Sequence, residues 1–114
     1  MPIGSKSIKT ITFTYGGRDY TLEYNRRSIE RMEKAGFDIE SAVSKPMTSI
    51  PKLFEGAFLM HHPYCKKELI EEILDEFTNK TELFEALAQM YSEPLEALVE
   101  DSKSKNAIAW EKSF

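Results

Sequence analysis

Cysteine is nearly absent from this chain: Cys65 stands alone among 114 residues. A single thiol excludes an internal disulfide framework and fits a reducing cytoplasm. Long hydrophobic runs are missing as well. The richest stretch, LFEGAFLMHH at 53–62, is interrupted by Glu55 and ends in histidines, so no membrane span is expected. The opening MPIGSKSIKT has no apolar core of the kind a signal peptide needs, and none is expected. Positive charge is not in excess either. The formal net charge of −4 argues against a nucleic-acid partner, because neutralising phosphates requires a basic surface.

What is present is ordinary for a globular chain, with 41% hydrophobic and 30% charged residues, and the length suits one core rather than two. Residues 1–100 are expected to form a single domain and 101–114 a flexible tail. Charge is unevenly placed. Lys6, Lys9, Arg18, Arg26, Arg27, Arg31 and Lys34 make the first third basic, whereas Glu68, Glu71, Glu72, Asp75, Glu76 and later glutamates make the following part acidic. Solvated helix faces account for most of this pattern, and head-to-tail self-association is the sharper alternative.

The fold class expected from periodicity is mainly α (α+β): an N-terminal β-hairpin packed on a bundle of four to five helices. IKTITFTY (8–15) alternates β-branched and aromatic residues, GGRD supplies a tight turn, and YTLEY resumes the alternation. The face carrying Ile11, Phe13, Tyr15, Tyr20, Leu22 and Tyr24 must lie on something, because a lone hairpin is marginal. Asn25 is placed to cap a first helix that Gly36 ends. A short turn follows with Asp38 as its cap. Ser49 is expected to cap the next helix with Pro51 in its first turn, and that helix runs apolar to His61 before Pro63. A fourth helix is expected at about 66–77. A fifth spans about Thr81 to Glu100 with Leu83, Phe84, Leu87, Met90, Tyr91, Leu95 and Leu98 on one side, kinked or divided at Pro94.

The one cluster with metal-ligating residue types is HHPYC. His61, His62 and Cys65 offer three donors, but adjacent histidines on a helix diverge by about 100° and no second Cys/His pair completes a tetrahedral site. The plain reading has His61 partly covering the core and His62 facing water. Cys65 lacks an orienting third group and an oxyanion loop, and YGGRDY does not open a helix, so neither a nucleophile nor a phosphate cradle is specified. No catalytic residue, cofactor or metal is assigned, and no enzyme is expected.

The order of elements and several local patterns resemble the small tail assembly chaperones of long-tailed bacteriophages and prophages, especially those of Gram-positive hosts. The patterns are Tyr24-Asn25 entering the first helix, Met32-Glu33 with Gly36 ending it, His61-His62-Pro63 before the fourth helix, and the ending NAIAWEKSF. The resemblance runs from about Ile8 to Phe114, and PYCKK departs from the plainer helix start of such proteins. It implies a non-enzymatic role in the host bacterial cytoplasm: binding the tape-measure protein and helping tail-tube protein assemble around it, without entering the finished virion. Many such chaperones also have a longer, frameshifted form. A structural head–tail connector is the alternative, and a small metal protein built on His61, His62 and Cys65 is a third.

The lone tryptophan sits where periodicity has ended. Ile108, Trp110 and Phe114 are therefore candidate protein-interaction residues, and Met90 and Tyr91 on the preceding helix are added to them. Trp and Phe bring large apolar area with few rotors, as binding anchors do. Two destinations stay open for Trp110: a partner or neighbouring copy, or the core of its own domain.

Overall fold

The computed structural model describes residues 9–101 and 103–114, so the parts of the sequence reading that rest on Lys6 and Ile8 lie outside the described residues. The chain is α+β. Strands β1 (Ile11–Tyr15) and β2 (Arg18–Leu22) precede helices α1 (Arg26–Lys34), α2 (Ser41–Ser44), α3 (Pro46–Gly56), α4 (Lys67–Glu76) and α5 (Lys80–Val99). The hairpin is antiparallel, with Phe13 opposite Tyr20 and Ile11 opposite Leu22. Its two-residue turn places Gly16 at φ 58° and Gly17 at φ 78°, a pair of positive angles that residues with a Cβ resist.

The hairpin's aromatic face lies on the helices. Phe13 stacks on Tyr20 at 5.1 Å between ring centres, and Phe58 and Phe77 meet Phe13 edge-on at 6.5 and 5.0 Å. Phe54 joins them, 5.2 Å from Phe58 and 5.6 Å from Phe77. A second aromatic group forms where Tyr91 of α5 meets Tyr24 and Phe37. Leu22, Phe54, Ala57 and Leu87 have no exposed surface, and α3 packs against α1, α4 and α5, so α3 is the centre of the core.

Caps follow the sequence at α1, where Asn25 Oδ1 accepts from the Ser28 amide and Ser28 Oγ accepts from the Asn25 amide. Gly36, at φ 97°, supplies the left-handed residue after it. Elsewhere the bounds differ. α3 begins at Pro46, not after Ser49; Pro46 takes the first-turn position, Pro51 lies inside the helix, and Ser49 is buried with its hydroxyl 2.6 Å from that of Ser41. The helix stops at Gly56, and residues 57–61 continue as turns. α5 is assigned as one helix through Pro94, whose fixed φ is itself helical, so the proline removes a donor without dividing the element.

Candidate interaction surface

Three regions carry the candidate residues: the HHPYC turn, the last turns of α5, and the tail. At HHPYC the histidine roles are the reverse of the plain expectation. His62 is half-buried beside Tyr20 and Phe58, and its Nε2 accepts the Thr21 amide at 3.0 Å. His61 is the exposed one, with Nε2 2.8 Å from Glu23 Oε1. Glu23 also donates its amide to the Ala57 carbonyl at 3.1 Å. These bonds fasten β2 and the residue after it to the turn that follows α3. The helix had been expected to run on to His61; because it ends at Gly56, the two rings take directions that a helical wheel does not give.

Burial, followed by the neighbouring His61 and Arg18 charges, holds the His62 imidazole below its usual pKa, and the Thr21 amide needs the free lone pair of the neutral ring. Burial pushes the Cys65 thiol up, outweighing the Arg18 charge, so Cys65 is a poorer thiolate source than a free cysteine. A hollow of about 540 Å³ is bordered by Arg18, His61, His62, Tyr64 and Lys66. Among the described residues no group of three or more His, Cys, Asp or Glu side chains is placed to hold a metal ion.

The α1/α5 side is more open. The start of α1 and the end of α5 enclose a groove of about 690 Å³ between Arg26, Arg27, Glu30, Glu93, Pro94 and Ala97. A smaller hollow of about 180 Å³ shares Arg26, Glu30 and Pro94 with it and adds Ile29, Leu95 and Leu98. Sequence periodicity places Leu95 and Leu98 inward, yet they are 39% and 56% exposed. After Tyr91 no residue of α5 is buried, so Leu95 and Leu98 line this hollow beside Ile29 without being covered.

Met90 and Tyr91 must be removed from the interaction candidates. They are 4% and 2% exposed, and Tyr91 closes on Tyr24 and Phe37 within the core. Apolar periodicity cannot tell a residue facing its own core from one facing a partner. Ile108, Trp110 and Phe114, by contrast, are 86%, 80% and 98% exposed. After α5 no helix or strand occurs among the described residues. A turn in which Ala107 donates to the Ser104 carbonyl is followed by irregular backbone, and Lys112 Nζ lies 5.2 Å from the Phe114 ring centre. Trp110 does not close its own domain's core.

These features sit within one recognised sequence unit. The chain belongs to the DUF5055 family, a domain of unknown function. The match covers residues 6–114, so the hairpin, the α1/α5 groove and the aromatic tail all fall inside it. No curated protein and no solved structure matches the chain.

Among the described residues no helix is long and apolar enough to cross a membrane. The groove and tail were only partly visible in the sequence. The tail's anchors stand out as aromatics beyond the periodic region. The groove depends on where α5 loses contact with α1, and no local signal marks that point.

Proposed function

We propose that this protein is a non-enzymatic interaction protein, a phage tail assembly chaperone that binds a tape-measure protein in the host bacterial cytoplasm and assists tail-tube assembly. The observation that carries the interaction reading is the tail. Three large apolar side chains, Ile108, Trp110 and Phe114, stand in water on a segment without regular structure. Exposed apolar anchors of this kind gain their stabilisation on docking, when the ordering cost is met. The phage assignment rests on the resemblance in the hairpin entry to α1, the His61-His62-Pro63 break and the NAIAWEKSF ending.

Co-expression with a tape-measure protein from the same phage or prophage tests this reading. The expected outcome is that the chaperone keeps the long, aggregation-prone client in the soluble fraction, and that Trp110→Ala lowers the soluble yield. Mass spectrometry of purified virions separates the alternative: a head–tail connector is found in the particle, whereas a chaperone is not.

A further inference from the structure

The two edges of the hairpin are covered unequally. In an antiparallel pair, residues bonded to the facing strand alternate with residues whose amide and carbonyl point away from it. On the β2 side the outward amides are used: Thr21 donates to His62 Nε2 at 3.0 Å, and Glu23, just after the strand, donates to the Ala57 carbonyl at 3.1 Å. Thr12 lies opposite Thr21 and Thr14 opposite Asp19, so Thr12 and Thr14 carry the outward groups of β1. Among the described residues no backbone partner reaches them.

Nothing in β1 guards this edge. Sheets commonly blunt a free edge with lysine, proline or a bulge. Ile11–Tyr15 reads ITFTY, without charge or proline, and pairs with β2 residue for residue. The charge that precedes it, Lys9, is drawn to Glu93 at 3.6 Å. The core also stops short on this side. Tyr20 and Leu22 are buried, whereas Phe13 and Ile11 opposite them are only half-buried. Beside the edge lies a hollow of about 220 Å³ that Phe13, Ile73 and Phe77 line with apolar surface, and Glu76 is the one charged residue on its rim. Glu76 is exposed and makes no ion pair among the described residues. Glu72, one turn before it in α4, accepts the Tyr15 hydroxyl at 2.5 Å.

We propose that the free edge of β1 docks an extended segment of a partner protein, which adds as a third strand with an apolar side chain in the hollow and a basic residue beside Glu76. The outward groups of Thr12 and Thr14 dictate the extended form, because only a strand can meet alternate donors and acceptors along an edge. Side chains of the added strand alternate between the two faces, so every second one is turned toward Phe13, Ile73 and Phe77. The carboxylates of Glu76 and Glu72 favour lysine or arginine at that end of the segment and repel an acidic one. This surface is distinct from the tail and stands whether or not a tape-measure protein is the client.

The test uses the full-length protein and a short fluorescein-labelled peptide in which threonine alternates with valine around a central phenylalanine, with a lysine at each end. A second peptide has glutamate at both ends. In fluorescence anisotropy the lysine peptide should bind saturably, roughly tenfold tighter than the glutamate peptide. It should also slow hydrogen exchange at the Thr12 and Thr14 amides. Thr12→Pro removes an outward donor and spares the β1–β2 ladder, whose bonds belong to Ile11, Phe13 and Tyr15. Binding should weaken by roughly tenfold in that variant. Glu76→Lys, at an exposed position near the end of α4, should invert the preference between the two peptides and decides the matter if Thr12→Pro fails to fold. Absence of saturable binding, equal binding of both peptides, or a preference unchanged by Glu76→Lys overturns the proposal. So does a self-association, seen by sedimentation velocity, that Thr12→Pro abolishes, since the edge then belongs to a second copy. Tighter peptide binding by Trp110→Ala overturns it too, by giving the edge to the tail of this chain.

Discussion

At the scale of the residue, the core contains positions where opposing effects can be weighed. Phe58 is 1% exposed and touches Phe13, Tyr20 and Phe54, so Phe58→Ala removes a ring from a site that cannot easily collapse. A loss of about 3–5 kcal/mol is expected in chemical denaturation, and a loss well under 1 kcal/mol would show that the aromatic group is not the core. Gly56 is a finer case. A Cβ there would overlap Met32 Sδ and Cε across the α1–α3 contact. Alanine's helix propensity favours the substitution by about 1 kcal/mol at most, and less at the last residue of α3. Overpacking costs about 1–3 kcal/mol, so Gly56→Ala should lower stability, and Met32→Ala in the same chain should relieve the clash. Tyr24 donates its hydroxyl to the Leu53 carbonyl at 2.5 Å in a buried setting, and Tyr24→Phe should cost about 1–2 kcal/mol while leaving the fold intact. Which residues are apolar and inward was legible from spacing; that a glycine must stay small, or a tyrosine must donate, depends on a neighbour distant in the chain.

At the scale of the element, the hairpin is held by the turn after α3 as much as by its aromatic face. Thr21 donates to His62 and Glu23 donates to Ala57. The His62 pKa is lowered, burial being the first cause, which fixes a direction for pH dependence. Below the ordinary value of 6.5 the unfolded chain takes up this proton before the native chain does. The contribution of His62 is therefore present above that pH and lost as the pH falls through the depressed native value. A glutamine at position 62 can accept the Thr21 amide without titrating. The stability of His62→Gln should thus fall less than that of wild type as the medium is acidified from pH 6.5, and parallel curves from denaturant titrations would exclude His62 as the titrating group. The hairpin, α1 with its Asn25 cap, and the approximate spans of α4 and α5 were legible in alternation, caps and 3.6-residue spacing. The start of α3 was not, because Pro46 and Pro51 both fit a first helical turn and only Ser41 packing on Ser49 distinguishes them. The end of α3 was misread for a related reason: apolar spacing persists through Phe58 although the backbone has left the helix.

At the scale of the whole molecule, two consequences follow from what is inside and what is outside. The phenols resist ionisation together. Tyr15 is pushed up to about 12 first by its hydrogen bond to Glu72, Tyr91 to about 12 first by burial, and Tyr24 well above its ordinary value by burial. Between pH 10 and 12 the unfolded chain releases these protons and the native chain retains them, so stability should fall as the pH rises through that window. Thermal melts should show it, with Tyr24→Phe flattening part of the slope. The tail has the opposite character, since among the described residues none after Tyr91 is buried, and Lys103, Lys105 and Lys112 are exposed outside regular structure. In dilute protein, trypsin should cut at Lys103 or Lys105 before any site in α1–α5, because cleavage needs a locally extended, accessible backbone. The remaining fragment should keep the melting temperature of the intact chain to within a few degrees. Equal cutting within α3 or α4, or a melting temperature that collapses on loss of the tail, would mean that residues beyond Val99 stabilise the domain that carries them. At high protein concentration the same sites should become protected if the tail is docked on a neighbouring copy, so comparing digestion rates at two concentrations separates a tail that is merely exposed from one that associates.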